Sequence, residues 1–175
     1  EIQVSKNVEV DSPQVASTAA EHMFASLHGL LKEDPSLQEH ISFELVSTGN
    51  RGIRFYVAVP SDVLKFVEGQ IYAQYPSAQI KTVEDYTYKF HESSYAYDVS
   101  EINLAKPNFY PIKTYKDFEV DPTSALTSAI SELRPNEQIW VQYLVKPLPD
   151  IWQEEGFNYI DAVRAGDDPS GSHDV

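Results

Sequence analysis

The stretch Ile41-Ser42-Phe43-Glu44-Leu45-Val46-Ser47-Thr48-Gly49-Asn50-Arg51-Gly52-Ile53-Arg54-Phe55-Tyr56-Val57-Ala58-Val59 decides how this chain folds. Ile41, Phe43 and Leu45 recur at period two, and so do Ile53, Phe55, Val57 and Val59. A strand turns successive side chains to opposite faces, so each run has one apolar face. The turn-rich Thr48-Gly49-Asn50-Arg51-Gly52 between them makes the pair a β-hairpin.

Helical patterns flank the hairpin on both sides. Upstream, Ser12 is the expected N-cap and Pro13 the first helical residue, where its missing N–H costs nothing. Val15, Ala19, Met23, Leu27 and Leu30, with Ala20, Phe24 and Leu31, form one apolar stripe ending before Pro35. Downstream, Ser61 is the expected cap of a helix bearing Val63, Leu64, Val67, Ile71 and Tyr75, stopped by Pro76. Residues 1–10 alternate at Ile2, Val4, Val8 and Val10, which reads as an edge strand. A strand over residues 78–90 is expected to turn at 91–94 and return over 95–104.

The order through residue 90 is therefore β-α-β-β-α-β, the split βαβ arrangement of a ferredoxin-like sandwich, with a four-stranded antiparallel sheet and both helices on one face. Beyond it, Asp121-Pro122 opens a third helix with Leu126, Ala129, Ile130 and Leu133, and residues 138–145 alternate as a final strand. The fold class is α+β: a ferredoxin-like unit over residues 1–90, extended by a partial strand-helix-strand unit over 91–147 on the same core. Residues 148–175 read as an acidic linker with a disordered end.

The chain has 175 residues, 13 Lys+Arg against 27 Asp+Glu, a formal net charge of -14 and no Cys. Nucleic-acid binding draws most of its affinity from cations neutralising phosphates, so direct DNA or RNA binding is not expected. Seven acids and one base lie in residues 148–175, leaving -8 on residues 1–147. Without cysteine there is no disulfide framework, thiolate nucleophile or Cys-ligated metal. No apolar run approaches the roughly 18–20 residues of a membrane helix. The start at Glu1 is what a piece of a longer protein would show.

Sites for chemistry are sparse. No GxxxxGK[ST] phosphate loop or GxSxG nucleophile elbow occurs. His22 and His28 are six apart, which separates them by about 120° around a helix, too far for joint chelation. The doublets Glu84-Asp85 and Glu154-Glu155 read as solvated surface, since strand neighbours point to opposite faces. No cofactor, catalytic residue or metal ligand is expected.

Aromatic residues stand out instead. Tyr86, Tyr88 and Phe90 have period two, with Tyr95 and Tyr97 across the expected hairpin. RNA-binding sheets display stacked aromatics in this way, but Glu84, Asp85, Glu92 and Asp98 outnumber Lys81 and Lys89 around them. A packed core or a protein-contact face fits better. Trp140 shares its strand phase with Gln138 and Gln142, and Trp152, after Pro147-Leu148-Pro149, reads as a clamp on the C-terminal segment. The candidate interface residues are thus Tyr86, Tyr88, Tyr95, Tyr97, Trp140 and Trp152.

Several phrases point to a family. They are Phe66-Val67-Glu68-Gly69-Gln70-Ile71-Tyr72-Ala73-Gln74-Tyr75-Pro76, then Ile80 with Val83-Glu84-Asp85-Tyr86, and Ala105-Lys106-Pro107 with Tyr110-Pro111-Ile112-Lys113-Thr114-Tyr115. Asp121-Pro122 with Leu126, and Glu137-Gln138-Ile139-Trp140-Val141-Gln142 ending at Lys146-Pro147, follow in order. Over about residues 1–156 the chain resembles the domain ahead of the motor in type IV secretion and conjugation coupling-protein-like DNA-translocating ATPases of the FtsK/HerA superfamily, as in small-genome bacteria. The resemblance implies a non-catalytic assembly domain in a membrane-associated DNA-translocation complex. Its implied partners are the motor ATPase domain, other secretion components and further copies of itself. Its implied place is the cytoplasm at the inner face of the membrane, held by a segment outside this chain. Two other readings stay open: a stand-alone ferredoxin-like domain binding a peptide, for instance by strand addition at residues 1–10, or a small ligand; and an enzyme with an unrecognised site.

Overall fold

The computed structural model of the chain describes residues 1–3, 13–49, 52–90, 94–119 and 123–167. Its elements run β1 (Ile2–Gln3), α1 (Pro13–Leu27), β2 (Ile41–Thr48), β3 (Gly52–Ala58), α2 (Leu64–Gln74), β4 (Gln79–Ile80), α3 (Ser124–Ser131), β5 (Gln138–Val145) and α4 (Ile151–Ala165). They fall into two compact units, residues 1–84 with 113–147 and residues 85–112 with 148–175.

The first unit is built on one sheet in the order β4-β1-β3-β2-β5, antiparallel throughout. The first four strands take the order of a ferredoxin-like sheet, and β5 extends it beside β2. The hairpin register places Phe43 opposite Val57 and Leu45 opposite Phe55, and β5 places Tyr143 and Val141 against the same two β2 residues. Period two in the sequence has become register in the sheet.

The core lies between the helices and one sheet face. Met23 and Leu27 of α1, Val67 and Ile71 of α2 and Ile41 of β2 are buried together, with Ile2, Phe43, Val57, Ile80 and Val145 packed against them. Phe24 meets Phe43 edge-on at 5.0 Å between ring centroids, which fixes α1 on the odd-numbered face of β2. Burying each such side chain stabilises by about 1.5–3 kcal/mol. The α3 helix packs against β3 and carries the fully buried Ile130.

The other face of the sheet is partly polar. Ser42, Glu44 and Val46 of β2 share it with Arg54 and Tyr56 of β3 and with Trp140, Gln142 and Leu144 of β5. Glu44 is buried, and its Oε1 accepts from Ser42 Oγ at 2.7 Å and Gln142 Nε2 at 3.1 Å. A buried polar group without partners would be costly, and these two bonds offset that cost across two strands.

Backbone crowding sets the entry to β5. Gly49 N donates to the Glu137 carbonyl at 3.0 Å, and a Cβ built on Gly49 would overlap the Arg134 carbonyl. Within the turn, Arg134 N donates to Glu137 Oε2 at 2.8 Å, and Asn136 takes a left-handed φ of 77°, a conformation asparagine tolerates better than most residues.

Several expectations need correction. β1 lies between β3 and β4, so it is an interior strand and its described residues, Ile2 and Gln3, offer no edge for strand addition; residues 4–10 and the expected cap Ser12 lie outside the described residues. The strand expected over 78–90 is confined to Gln79–Ile80, and Tyr86–Lys89 is a 3-10 turn. The cause is local: Asp85 Oδ1 accepts from Thr87 N at 2.8 Å and from Thr87 Oγ1 at 2.7 Å, an alternative to the sheet ladder. Residues 95–104, which would have paired with it, form no strand. The α2 helix starts at Leu64 behind Val63 rather than at a Ser61 cap, because Val63 N is taken by the Pro60 carbonyl. Asp121-Pro122 lies outside the described residues, and α3 begins at Ser124. Finally, the segment read as an acidic linker forms the 15-residue helix α4; the end read as disordered, residues 168–175, lies outside the described residues.

Candidate interaction surface

In the unit made of residues 85–112 and 148–175, two aromatic groups organise chain that has little regular structure. Phe90 stacks on Tyr95 at 5.2 Å and meets Tyr97 edge-on at 5.9 Å. These contacts tie the two ends of the segment around residues 91–93 without a hairpin ladder. Tyr86 is half-buried on the 3-10 turn, whereas Tyr88 on the same turn is 81% exposed.

The second group anchors α4. Phe109 stacks on Tyr110 at 5.1 Å and leans on Tyr159 of α4 at 5.2 Å. Tyr110 Oη donates to Tyr159 Oη at 2.8 Å, and Lys106 Nζ sits 5.2 Å from the Tyr110 ring centroid in a cation–π contact. Gly156 is what lets Phe109 lie against the helix: a Cβ there would come within 3.1 Å of the Phe109 Cβ. The helix ends at Gly166, whose N–H donates to the Val163 carbonyl at 3.1 Å and whose φ of 91° turns the chain so that the Asp167 N–H reaches the Ala162 carbonyl at 3.0 Å. Gly156, Tyr159 and Ala162, at spacings of three, are the least exposed positions of α4.

Large apolar side chains remain in solvent. Ile102 is 96% and Val99 81% exposed on the extended segment, and Phe157, Ile160 and Val163 are exposed on α4. On α4 the exposed positions Phe157, Ile160 and Val163 recur at helical spacing, and apolar side chains grouped in this way mark interaction surfaces more often than single exposed ones do.

Of the six residues expected at an interface, Tyr95 and Tyr97 are brought together by Phe90, while Tyr86 and Tyr88 share one turn but differ in exposure. Trp152 is exposed at the start of α4. Trp140 belongs to the other unit, where it is half-buried opposite Val46 and its Nε1 donates to Gln138 Oε1 at 3.2 Å. Sequence reasoning missed Lys106, Phe109, Tyr110, Gly156 and Tyr159. The signal for Gly156 and Tyr159 was the helical spacing Trp152, Gly156, Tyr159 and Val163 after the N-cap position Asp150; no periodicity marked Lys106, Phe109 and Tyr110.

The carboxylate doublets are exposed, and Asp85 serves as a cap for its own turn. Among the described residues no group of three His, Asp or Glu is placed to hold a metal ion. A cleft beside Leu30, Gln38, Ile41 and Val63 encloses ≈ 20 Å³, room for about one water. No described helix is long and apolar enough to cross a membrane.

A family model matches residues 2–166, from the first residue of β1 to the glycine that caps α4. The chain belongs to the DUF8128 family, a domain of unknown function. The α4 helix is therefore part of the DUF8128 domain and not an appendage to it. No curated protein and no solved structure gives a significant match to this DUF8128 domain.

Proposed function

We propose that this DUF8128 domain is a non-catalytic assembly module of a membrane-associated, type IV secretion-like DNA-translocating ATPase, working through contacts with the motor and other components of the complex. The observation that carries the proposal is the apolar surface left in solvent on residues 99–112 and on α4, with Ile102 at 96% exposure. A surface of that kind gains free energy when a protein partner covers it. The family phrases quoted from residues 66–147 add the class of machine. Membrane association then comes from a segment outside these residues, and the domain lies at the cytoplasmic side.

The acidic balance assigns DNA handling to other parts of the complex. The encoding gene tests the reading: an upstream apolar segment and a downstream GxxxxGK[ST] sequence in the same frame are expected, and a gene ending near Val175 with neither overturns it. The purified chain is expected to pass through DNA–cellulose at about 0.15 M salt without retention, the level at which phosphate contacts still hold DNA-binding proteins. Tight retention would place DNA on this domain and reverse the division of labour.

A further inference from the structure

One face of α4 presents two stripes side by side. Phe157, Ile160 and Val163 follow at spacings of three, so they are neighbours on the helix surface and form an exposed apolar ridge. Glu154 and Asp161 lie three residues before and four after Phe157, which puts both carboxylates along one flank of the ridge. Both are exposed, and the only basic side chain on the helix, Arg164, is already 3.7 Å from Asp161. Gly156 and Tyr159, on the adjoining stripe, are engaged by Phe109 and Tyr110, while Phe157, Ile160 and Val163 stay exposed.

The composition of the unit that contains α4 is one-sided in charge. Residues 85–112 and 148–175 hold eleven acids and three bases, although they make up less than a third of the chain. A second copy would bring the same sign to the same place, and an anionic lipid surface would be repelled. An apolar ridge edged by carboxylates matches an amphipathic helix whose apolar stripe is bordered by Lys and Arg.

We infer that the Phe157–Ile160–Val163 ridge of α4 docks a cationic amphipathic helix of a protein partner, with Glu154 and Asp161 setting its orientation through flanking charge. The inference rests on the assembly reading and names the chemistry of one partner.

The test uses the full chain and a fluorescein-labelled synthetic amphipathic peptide of leucine and lysine, read by anisotropy, beside a counterpart in which every lysine is glutamate. The lysine peptide is expected to bind and the glutamate peptide to be ignored. Affinity is expected to fall as salt rises from about 0.05 to 0.5 M, where the screening length shrinks below 10 Å. Phe157→Ser, Ile160→Ser and Val163→Ser together should weaken binding by about tenfold or more, and Glu154→Lys with Asp161→Lys should weaken it comparably and flatten the salt dependence. All five positions are exposed, so the variants are expected to keep the wild-type circular dichroism. Equal binding of the two peptides, or unchanged affinity in both variants, overturns the inference, as does binding to vesicles of anionic phospholipid through the same residues. A gene that encodes the motor, combined with a lysine peptide that is ignored, removes the docking face and leaves the assembly reading standing. Peptide binding by a chain whose gene lacks the motor does the opposite.

Discussion

At Gly49 the side chain that is missing matters more than any that is present nearby. Its amide reaches the Glu137 carbonyl while the Arg134 carbonyl occupies the space a Cβ would need. The turn after β2 and the turn before β5 are locked together by that close approach. Gly49→Ala must displace backbone rather than a flexible side-chain tip, so it is expected to lower unfolding stability by about 2–3 kcal/mol, measured by urea titration. The conformationally permissive Gly52, with a φ of 68° and open space around it, answers to a different constraint: its backbone, not its surroundings, excludes other residues. Two glycines in one turn sequence thus have separate physical reasons, and the sequence pattern shows only that both belong to a turn.

Among the elements, two short turns held by Asp34 and Asp117 contribute acid sensitivity. Asp34 starts the 3-10 turn Pro35–Leu37 and accepts from Ser36, whose side-chain and backbone donors hold the Asp34 carboxyl below the usual range. Asp117 closes a capping box with Thr114, and the Thr114 backbone N–H, followed by its hydroxyl, lowers the Asp117 carboxyl likewise. A carboxyl whose folded pKa is depressed stabilises the fold above its ordinary value near ~4, and that contribution is lost as pH falls through the depressed value. The melting temperature of the wild-type chain is therefore expected to fall more steeply below about pH 4 than that of the Asp34→Asn, Asp117→Asn double variant. These turns also show what was legible. Period two identified β2, β3 and β5 because their pairing partners enforce the alternation, with β5 found over the same residues 138–145. Period two failed at Tyr86, Tyr88 and Phe90, where Asp85 accepts from the Thr87 amide in a 3-10 turn, an alternative to strand pairing. The α4 helix went unread because its acids resembled a solvated tail, and its anchoring ring contacts come from residues 109–110, more than forty positions away. The expected interface therefore named Tyr86, Tyr88, Tyr95, Tyr97, Trp140 and Trp152 but not the ridge beside Glu154 and Asp161.

For the molecule as a whole, burial is uneven between the two units. The β2 strand lies between two long partners and holds Ile41, Val46 and Ser47 out of solvent, while residues 95–112 carry neither helix nor strand and leave Val99 and Ile102 in water. Hydrogen exchange is expected to be slowest at β2 amides and fastest across residues 95–112; comparable protection in the two would contradict this distribution of stability. Protection appearing in 95–112 on addition of a partner would locate where contact is made. The strand order also has a consequence for synthesis on the ribosome. The four strands of the ferredoxin-like order are complete once Ile80 has emerged, yet β2 still lacks its second neighbour, which ends at Val145. At roughly 5–20 residues per second, the intervening stretch of about 65 residues takes several seconds. Throughout that interval the nascent chain presents the outer edge of β2, a ready template for pairing with other unfinished chains on the same messenger. Delivery of residues 138–145 is the step that closes this edge, and a translational pause ahead of it would prolong the exposure.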